Sequence, residues 1–492
     1  MEPLVIGEIL ARASRVAPRA PAATLDGERT TFGELDEASN RHAHALAGLG
    51  IRPGDRVAWW GDTALAALPV FGGLAKLGAV FAPLNARLGV AEVQPVIERC
   101  SPRLLVVDAA HVEEGAEVAR VLGLPVAQLG RGPGADVADA AASASDAPPR
   151  SVPDERAPHV VFFTSGSTGS PKGVVLSHRA NWLRTYPGAT STAGVGGGVV
   201  CMFPLFHMAG WTIALGAWQA RTAVHLTPVP DAATLLSTAE REHASRMYLI
   251  PAVWTRVLEH GTAGHDLSSL VEADTGTSAT AVELLQGIKA ALPHTVSRVF
   301  YGSTEAGPGV QLGDADLFRK PGSVGVPQPG VELRLRDGEV CVRSPFLFDG
   351  YLDDPEATAA VLDDGWYRTG DLGALDEEGY LSIVGRARDV IRSGGETIAP
   401  AEVEAVVLTH PAIAEAAVVG LPDPTWGEVV VAVVVLRDGA VPIGPAELRE
   451  HCAGRLAPFK HPRRVETVAA LPRTPATGQV QRPLIVERLL AR

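Results

Sequence analysis

The sequence predicts an α/β protein on three observations: apolar segments that alternate between helical and strand-like periods, no internal repeat of solenoid length, and a length of 492 residues. Alternating strand and helix patterns are what layered α/β folds require. A chain this long exceeds a single hydrophobic core, so it divides into two to four domains, or one large domain and a smaller one. With 46% hydrophobic and 20% charged residues, and with 52 Gly and 38 Pro available for turns, the composition is that of an ordered globular protein.

The formal charge of −13 argues against DNA, RNA or anionic membranes as partners, because those need a concentrated positive field. An anionic ligand would need a local cationic site. Cys100, Cys201, Cys341 and Cys452 lie far apart, without metal-ligand spacing or a disulfide framework, so a reduced, cytoplasmic setting is expected. Met1-Glu2-Pro3 opens without a basic segment leading into an apolar stretch, and no secretory signal is expected. The best membrane candidate, Ala64 to Leu84, is interrupted by Pro69, Gly72, Gly73, Lys76 and Gly78 and reads as a helix end followed by a strand.

Along the chain, Arg131 to Glu155 is rich in Ala, Gly, Pro, Ser and Asp, lacks an apolar period, and reads as a surface connection. It leads into the apolar run Val160-Val161-Phe162-Phe163, which breaks into Thr164-Ser165-Gly166-Ser167-Thr168-Gly169-Ser170-Pro171-Lys172-Gly173 before Val174-Val175-Leu176. Between two strands, such a loop wraps a phosphate, since Gly lets the backbone approach while hydroxyls and N–H groups donate, and Lys172 adds charge. A plain Ser/Gly hairpin turn is the alternative. The Gly-Lys-Ser/Thr ending of a P-loop before a helix is absent.

Next, Val299-Phe300 runs into Tyr301-Gly302-Ser303-Thr304-Glu305. An aromatic to stack on a purine, a hydroxyl for phosphate and a single carboxylate for Mg²⁺ are assembled there, although an N-cap with a nearby Glu explains the pattern as well. The third cluster is Gly365-Trp366-Tyr367-Arg368-Thr369-Gly370-Asp371-Leu372-Gly373, followed by Gly385-Arg386-Ala387-Arg388-Asp389. Asp371 is suited to accept from both hydroxyls of a ribose and Arg386 to face sugar or phosphate; ordinary ion-paired surface turns are the other reading.

In this order and spacing the three motifs resemble those of acyl-CoA synthetases, the superfamily that includes firefly luciferase and the adenylation domains of peptide synthetases. The resemblance extends from Thr30-Thr31-Phe32-Gly33-Glu34-Leu35 to Pro472-Arg473-Thr474, nearly the whole chain. It implies a large multi-subdomain N-terminal domain, 1–386, and a small mobile α+β lid domain, 387–492, with Asp389 near the hinge. It also implies a two-step reaction: ATP and a carboxylic acid give acyl-AMP and pyrophosphate, and then a thiol, that of CoA, releases AMP.

Carried over by motif, Thr164, Ser165, Gly166, Ser167, Thr168, Gly169 and Lys172 surround nucleotide phosphates, and Tyr301 packs on adenine. Thr304 contacts the retained phosphate, Glu305 holds Mg²⁺, and Asp371 with Arg386 holds the ribose. His207, in Phe203-Pro204-Leu205-Phe206-His207-Met208-Ala209-Gly210, matches the position beside the reacting carboxyl carbon. Trp211 and Gly276-Thr277-Ser278 become walls of the acyl pocket. Ser393-Gly394-Gly395-Glu396 resembles the loop that swings in beside the pantetheine thiol, where Gly394 and Gly395 let backbone line a narrow channel. Small residues at Ala209, Gly210 and Gly276 lead to the expectation of a roomy pocket and a bulky hydrophobic acid from a specialised biosynthetic pathway.

One departure stands out. The family carries a lysine in a Ser/Thr-Gly-Lys ending near the C-terminus, whereas this chain reads Pro472-Arg473-Thr474-Pro475-Ala476-Thr477-Gly478-Gln479, with one extra residue and Gln479 in the lysine position. A fixed ammonium stabilises the charge that accumulates during adenylation, and a neutral amide does not replace it. The expectation is impaired adenylation with thiol transfer retained, the acyl-AMP being supplied by a partner adenylating enzyme. Two alternatives accompany it: a complete synthetase in which another cation such as Lys460 substitutes, and a non-catalytic sensor of nucleotide or acyl ligand.

Overall fold

The computed structural model describes residues 3–130, 135–164, 171–191, 196–393, 396–474 and 478–491. The chain forms two compact units. One comprises residues 1–319, 327–331 and 343–367, the other residues 320–326, 332–342 and 368–492.

In the larger unit, Thr31 opens the helix Phe32–Gly48 with a capping box. Its hydroxyl accepts from the Glu34 N–H at 3.3 Å while the Glu34 carboxylate accepts from the Thr31 N–H at 2.8 Å, so two otherwise orphaned donors are satisfied. The Ala64–Leu84 stretch resolves into the helix Ala67–Leu77 and the buried strand Val80–Leu84. Among the described residues, no helix is long and apolar enough to cross a membrane.

A nine-stranded sheet carries the parallel strands Val299–Ser303, Glu272–Gly276, Arg246–Tyr248, Val199–Cys201 and Val224–Leu226 side by side in that order. Parallel strands deliver their C-terminal ends to one edge, and the turns that follow them share that edge. His207, Thr277 and the Thr304–Glu305 turn all come after such strands. An eight-stranded sheet includes the antiparallel hairpin Pro158–Thr164 with Lys172–Ser177, so the two apolar runs read in the sequence are indeed partners.

The Arg131–Glu155 stretch is more ordered than its composition suggested. Asp136 caps a short helix, Val137–Ala142, by accepting from the N–H groups of Ala138 and Asp139. Val137 and Ala141, four residues apart, are its buried face.

The smaller unit is α+β. In the sequence, the apolar runs Ala416-Ala417-Val418-Val419 and Val429 to Leu436 predict strands of this small unit, and both fall in its longest hairpin, Ile413–Asp423 with Gly427–Leu436. Both faces are buried, which is why the runs are continuously apolar rather than alternating. Val418, Val430, Ala432 and Val434 pack with Val403 and Val407 of the helix Pro400–Val407. The intervening Val419, Leu421, Val431 and Val433 pack with Ile485 and Leu489 of the helix Arg482–Leu490. All four cysteines are free and buried.

Candidate active site

The hairpin that carries the glycine loop sets Thr164 opposite Lys172. Ser165, Gly166, Ser167, Thr168 and Gly169 lie outside the described residues. The Lys172 ammonium sits 4.6 Å from the centre of the Tyr351 ring. The Tyr351 hydroxyl in turn donates to the Glu305 carboxylate at 3.0 Å. Burial and that neighbouring carboxylate push the Tyr351 phenol well above its ordinary value, so it stays a donor. Three residues from three segments, Lys172, Tyr351 and Glu305, thus meet at one point, two of which the sequence had singled out.

What holds the Thr304–Glu305 turn is a residue the sequence reading missed. Arg184, on the helix His178–Ser191, is fully buried and donates to the carbonyls of Thr304 at 2.8 Å and Phe346 at 2.7 Å, with a longer bond to Glu305 at 3.4 Å. Burial lowers its pKa to about 10, which still leaves it charged at neutral pH. The available signal was an arginine four residues after Ala180 on the buried stripe of a helix, because a charge there must find partners.

His207 is the N-cap of the helix Met208–Gln219, and its Nδ1 accepts from the Ala209 N–H at 3.1 Å. Burial lowers the imidazole pKa to about 4, so the ring is neutral at neutral pH. With Nδ1 accepting, the single ring proton belongs on Nε2, which makes Nε2 the donor. The ring stacks on Phe203 with centroids 5.9 Å apart. At Gly210 a Cβ would lie 2.8 Å from the Pro204 carbonyl oxygen, so this tight turn requires glycine.

Beside this helix lies a cavity of about 180 Å³, lined by Met208, Ala209 and Ile213 on the helix and by Thr277, Phe300 and Tyr301 on the sheet side. Thr277 holds φ at +69°, an unusual conformation for a branched residue and one that marks the cavity rim as constrained. Ser278 is exposed. Trp211, expected at the pocket wall, is buried in the core instead, stacked on Phe71 at 3.9 Å with its N–H bonded to the Leu205 carbonyl at 2.5 Å. Nor does Gly276 open the pocket: a Cβ there would lie 2.3 Å from the Phe300 carbonyl oxygen and 2.6 Å from the Tyr248 hydroxyl. Glycine at 276 permits close approach of strands rather than space for ligand.

In the smaller unit, Asp371 and Arg386 face each other across the antiparallel strands Trp366–Leu375 and Leu381–Arg386. Their ion pair is 2.7 Å long and Asp371 is buried, so the two residues form one charged site. Asp389 lies 3.5 Å from Arg482, which also binds both oxygens of Glu404. Ser393 and Glu396 pair in register, and Gly394 and Gly395 lie outside the described residues.

Gln479 is exposed on a small hairpin closed by the Arg473–Val480 bridge. Its carbonyl accepts from the Thr474 N–H at 2.8 Å, and its N–H donates to the Thr474 hydroxyl at 3.0 Å. Lys460, the alternative cation, is bonded to Glu402 at 2.6 Å.

Residues 10–352 match the AMP-binding enzyme family, and residues 402–477 match its C-terminal domain. The chain belongs to the AMP-binding enzyme family. Within this adenylate-forming superfamily it is similar to a feruloyl-CoA synthase of Amycolatopsis sp, with 35% identity covering 95% of this chain and 96% of the relative. It is similar also to the 3-[(3aS,4S,7aS)-7a-methyl-1,5-dioxo-octahydro-1H-inden-4-yl]propanoyl:CoA ligase of Rhodococcus jostii, with 33% identity covering 99% of both chains. Among solved structures, the anthranilate CoA ligase AuaEII in complex with anthranoyl-AMP superposes with a TM-score of 0.89 at 26% identity, covering 100% of this AMP-binding enzyme and 99% of that chain.

Proposed function

We propose that this AMP-binding enzyme is an acid–thiol ligase that forms an acyl-CoA thioester from an acyl-AMP and CoA, and that its capacity to make the acyl-AMP from ATP is impaired. The observation that carries the second half is Gln479, a neutral side chain on the exposed Arg473–Val480 hairpin where the family lysine belongs, while Lys460 is engaged by Glu402. The family relationship to acyl-CoA ligases, and a relative that binds an acyl-AMP, support the first half.

In this reading the AMP phosphate lies at the Thr164–Lys172 hairpin, Tyr301 packs on adenine, Thr304 contacts the phosphate, and Asp371 with Arg386 takes the ribose. The acyl group enters the cavity beside His207, with Thr277 at its rim. CoA sulfur attacks the acyl carbonyl carbon, negative charge develops on the carbonyl oxygen, and the bond to the phosphate oxygen breaks to release AMP. The Nε2–H of neutral His207 donates to that oxygen, a preorganised donor where charge develops. Rotation of the small domain about Asp389 brings the Ser393–Glu396 turn, with Gly394 and Gly395, to the thiol channel.

Glu305 offers the single carboxylate that Mg²⁺ accepts, and the ion would neutralise phosphate charge if ATP is used. A partner adenylating enzyme supplies the acyl-AMP. The acid is bulky and hydrophobic and comes from a specialised biosynthetic pathway; the acid named for the Rhodococcus relative is a bicyclic one, which supports the bulk.

Separate assays of the two half-reactions test this. Synthetic acyl-AMPs and CoA are expected to yield acyl-CoA and AMP, while the matching acids and ATP release little pyrophosphate. Pyrophosphate release at a rate matching acyl transfer would establish the complete synthetase instead, and failure of every acyl-AMP to react with CoA would leave a ligand sensor.

A further inference from the structure

The cavity beside His207 has two unlike ends. Its strand-side wall includes Arg246 with Tyr248, and Arg298 with Phe300 and Gly302, alternate positions that share one face of the sheet. Gly302 and Thr277 lie at the C-terminal edge, with the reacting end. Arg246 and Arg298 lie at the opposite edge: Arg246 begins the strand Arg246–Tyr248, and Arg298 immediately precedes Val299–Ser303. From residue 298 to residue 302 the chain advances four residues, about 13 Å at the strand rise of about 3.3 Å per residue.

Four charges meet at the far end. Arg246 pairs in register with Glu272, and Tyr248 with Asp274, across neighbouring parallel strands. Asp274, with 0% side-chain exposure, accepts two parallel bonds from Arg298 at 2.9 Å and another from Arg246 at 3.0 Å. Glu272 contacts both arginines. The two carboxylates match the two guanidinium charges, so the cluster is neutral overall.

Donors remain nonetheless. Among the described residues, Nη1 of Arg246, Nη1 of Arg298 and the Tyr248 hydroxyl have no hydrogen-bond partner, and all three side chains line the cavity. Between them and the mouth, the walls are mainly apolar, with Met208, Ile213 and Phe300 prominent.

We infer that this end of the cavity recognises a neutral oxygen acceptor, a ketone or hydroxyl carried by the acyl group at the end remote from its carboxyl, about 13 Å away. The inference rests on the proposal that the acyl group occupies this cavity. A neutral acceptor satisfies these cavity-facing donors without adding charge, once the ligand has displaced water from them. A second carboxylate would bring an unmatched charge into a site whose cations are already balanced, at a desolvation cost. A purely hydrocarbon end would leave the donors unsatisfied.

Calorimetric titration of the wild-type chain with three acyl-sulfamoyl adenosines, stable mimics of acyl-AMP, tests this directly. The 10-oxoundecanoyl compound is expected to bind at least about tenfold more tightly than the undecanoyl compound. The undecanedioyl compound, with its terminal carboxylate, is expected to bind more weakly than the ketone. Tyr248→Phe is expected to reduce the preference for the ketone about fivefold. Equal affinity for ketone and alkyl compounds, or a preference for the diacid, overturns the inference and leaves the acyl-AMP reading intact. Failure of all three to bind overturns both. The ligand series is read on the unaltered chain and is decisive whether or not the variant folds.

Discussion

The Thr304–Glu305 turn and the Gln479 hairpin are both short polar segments, yet they are held in opposite ways. The first is bound by the buried Arg184 guanidinium from 120 residues away, by the Phe348 N–H on the Glu305 carbonyl at 2.8 Å, and by Tyr351 on the Glu305 carboxylate. The second is held mainly by local bonds at the surface: Thr474 binds Gln479 in both directions, and the exposed Arg473 side chain donates to the Gly478 carbonyl at 2.8 Å and pairs with the exposed Glu415. A segment anchored by distant buried partners is altered only at a cost in stability. A surface hairpin closed by its own backbone accepts a new side chain freely. The Thr304–Glu305 turn is therefore tied to the buried fold, while position 479 lies on a surface hairpin.

Arg184→Met breaks the comparison most severely. It removes one buried charge and leaves the Thr304 and Phe346 carbonyls without the Arg184 donor, a type of change that costs about 3–5 kcal/mol. Chemical denaturation is expected to show a loss of that size, with mimics of acyl-AMP bound more weakly. An unchanged denaturation midpoint would mean that the turn is held by other contacts.

Gln479→Lys acts on chemistry instead. Restoring an ammonium at this position is expected to raise pyrophosphate release from acid and ATP by about 10²–10³, the usual worth of one preorganised donor. Acyl transfer from acyl-AMP is expected to be unchanged. If pyrophosphate release stays at background, the deficit lies elsewhere than in the missing charge.

Acid acts on the helix that carries Arg184. His178, fully buried, has its pKa lowered from 6.5 to about 4 by burial, and His159, stacked on it at 4.9 Å, is also held well below its ordinary value, by burial first and then by His178. Because the folded pKa lies below the unfolded one, the unfolded chain binds more protons once the pH drops beneath 6.5. Stability is then lost progressively as pH falls towards 4, by about 2 kcal/mol at pH 5 for His178. Above neutrality these histidines contribute no pH dependence. Denaturation midpoints at pH 7 and pH 5 are expected to differ accordingly, and His178→Asn is expected to lessen the difference.

Much of this was legible in the sequence where local pattern decides structure. The hairpin around Thr164 and Lys172, the strands within 413–436, and the division of Ala64–Leu84 into helix and strand all follow from apolar period and turn residues. The helix Val137–Ala142 escaped because one Asp cap and two buried residues are a faint signal in Ala-rich sequence. Trp211 was misdirected because the helix Met208–Gln219 is apolar on more than one face, so its period does not say which face meets the core. What Arg184 and the Arg246–Arg298 cluster bind was hidden for a different reason. Their partners are carbonyls of distant turns for Arg184 and carboxylates of a neighbouring strand for the cluster, and only the tertiary fold makes them neighbours.

The smallest effect sharpens the contrast further. Gln479→Ala removes an exposed side chain while leaving the backbone bonds to Thr474 intact, and surface changes of this kind stay within about 0.5 kcal/mol. Thermal unfolding is expected to be indistinguishable from that of the unaltered chain, and acyl transfer to CoA equally so, since an amide that stabilises no charge in that step has nothing to lose. A marked fall in acyl transfer would assign Gln479 a direct part in the thiol step and would reverse the argument, making the glutamine a working substitution rather than a missing lysine.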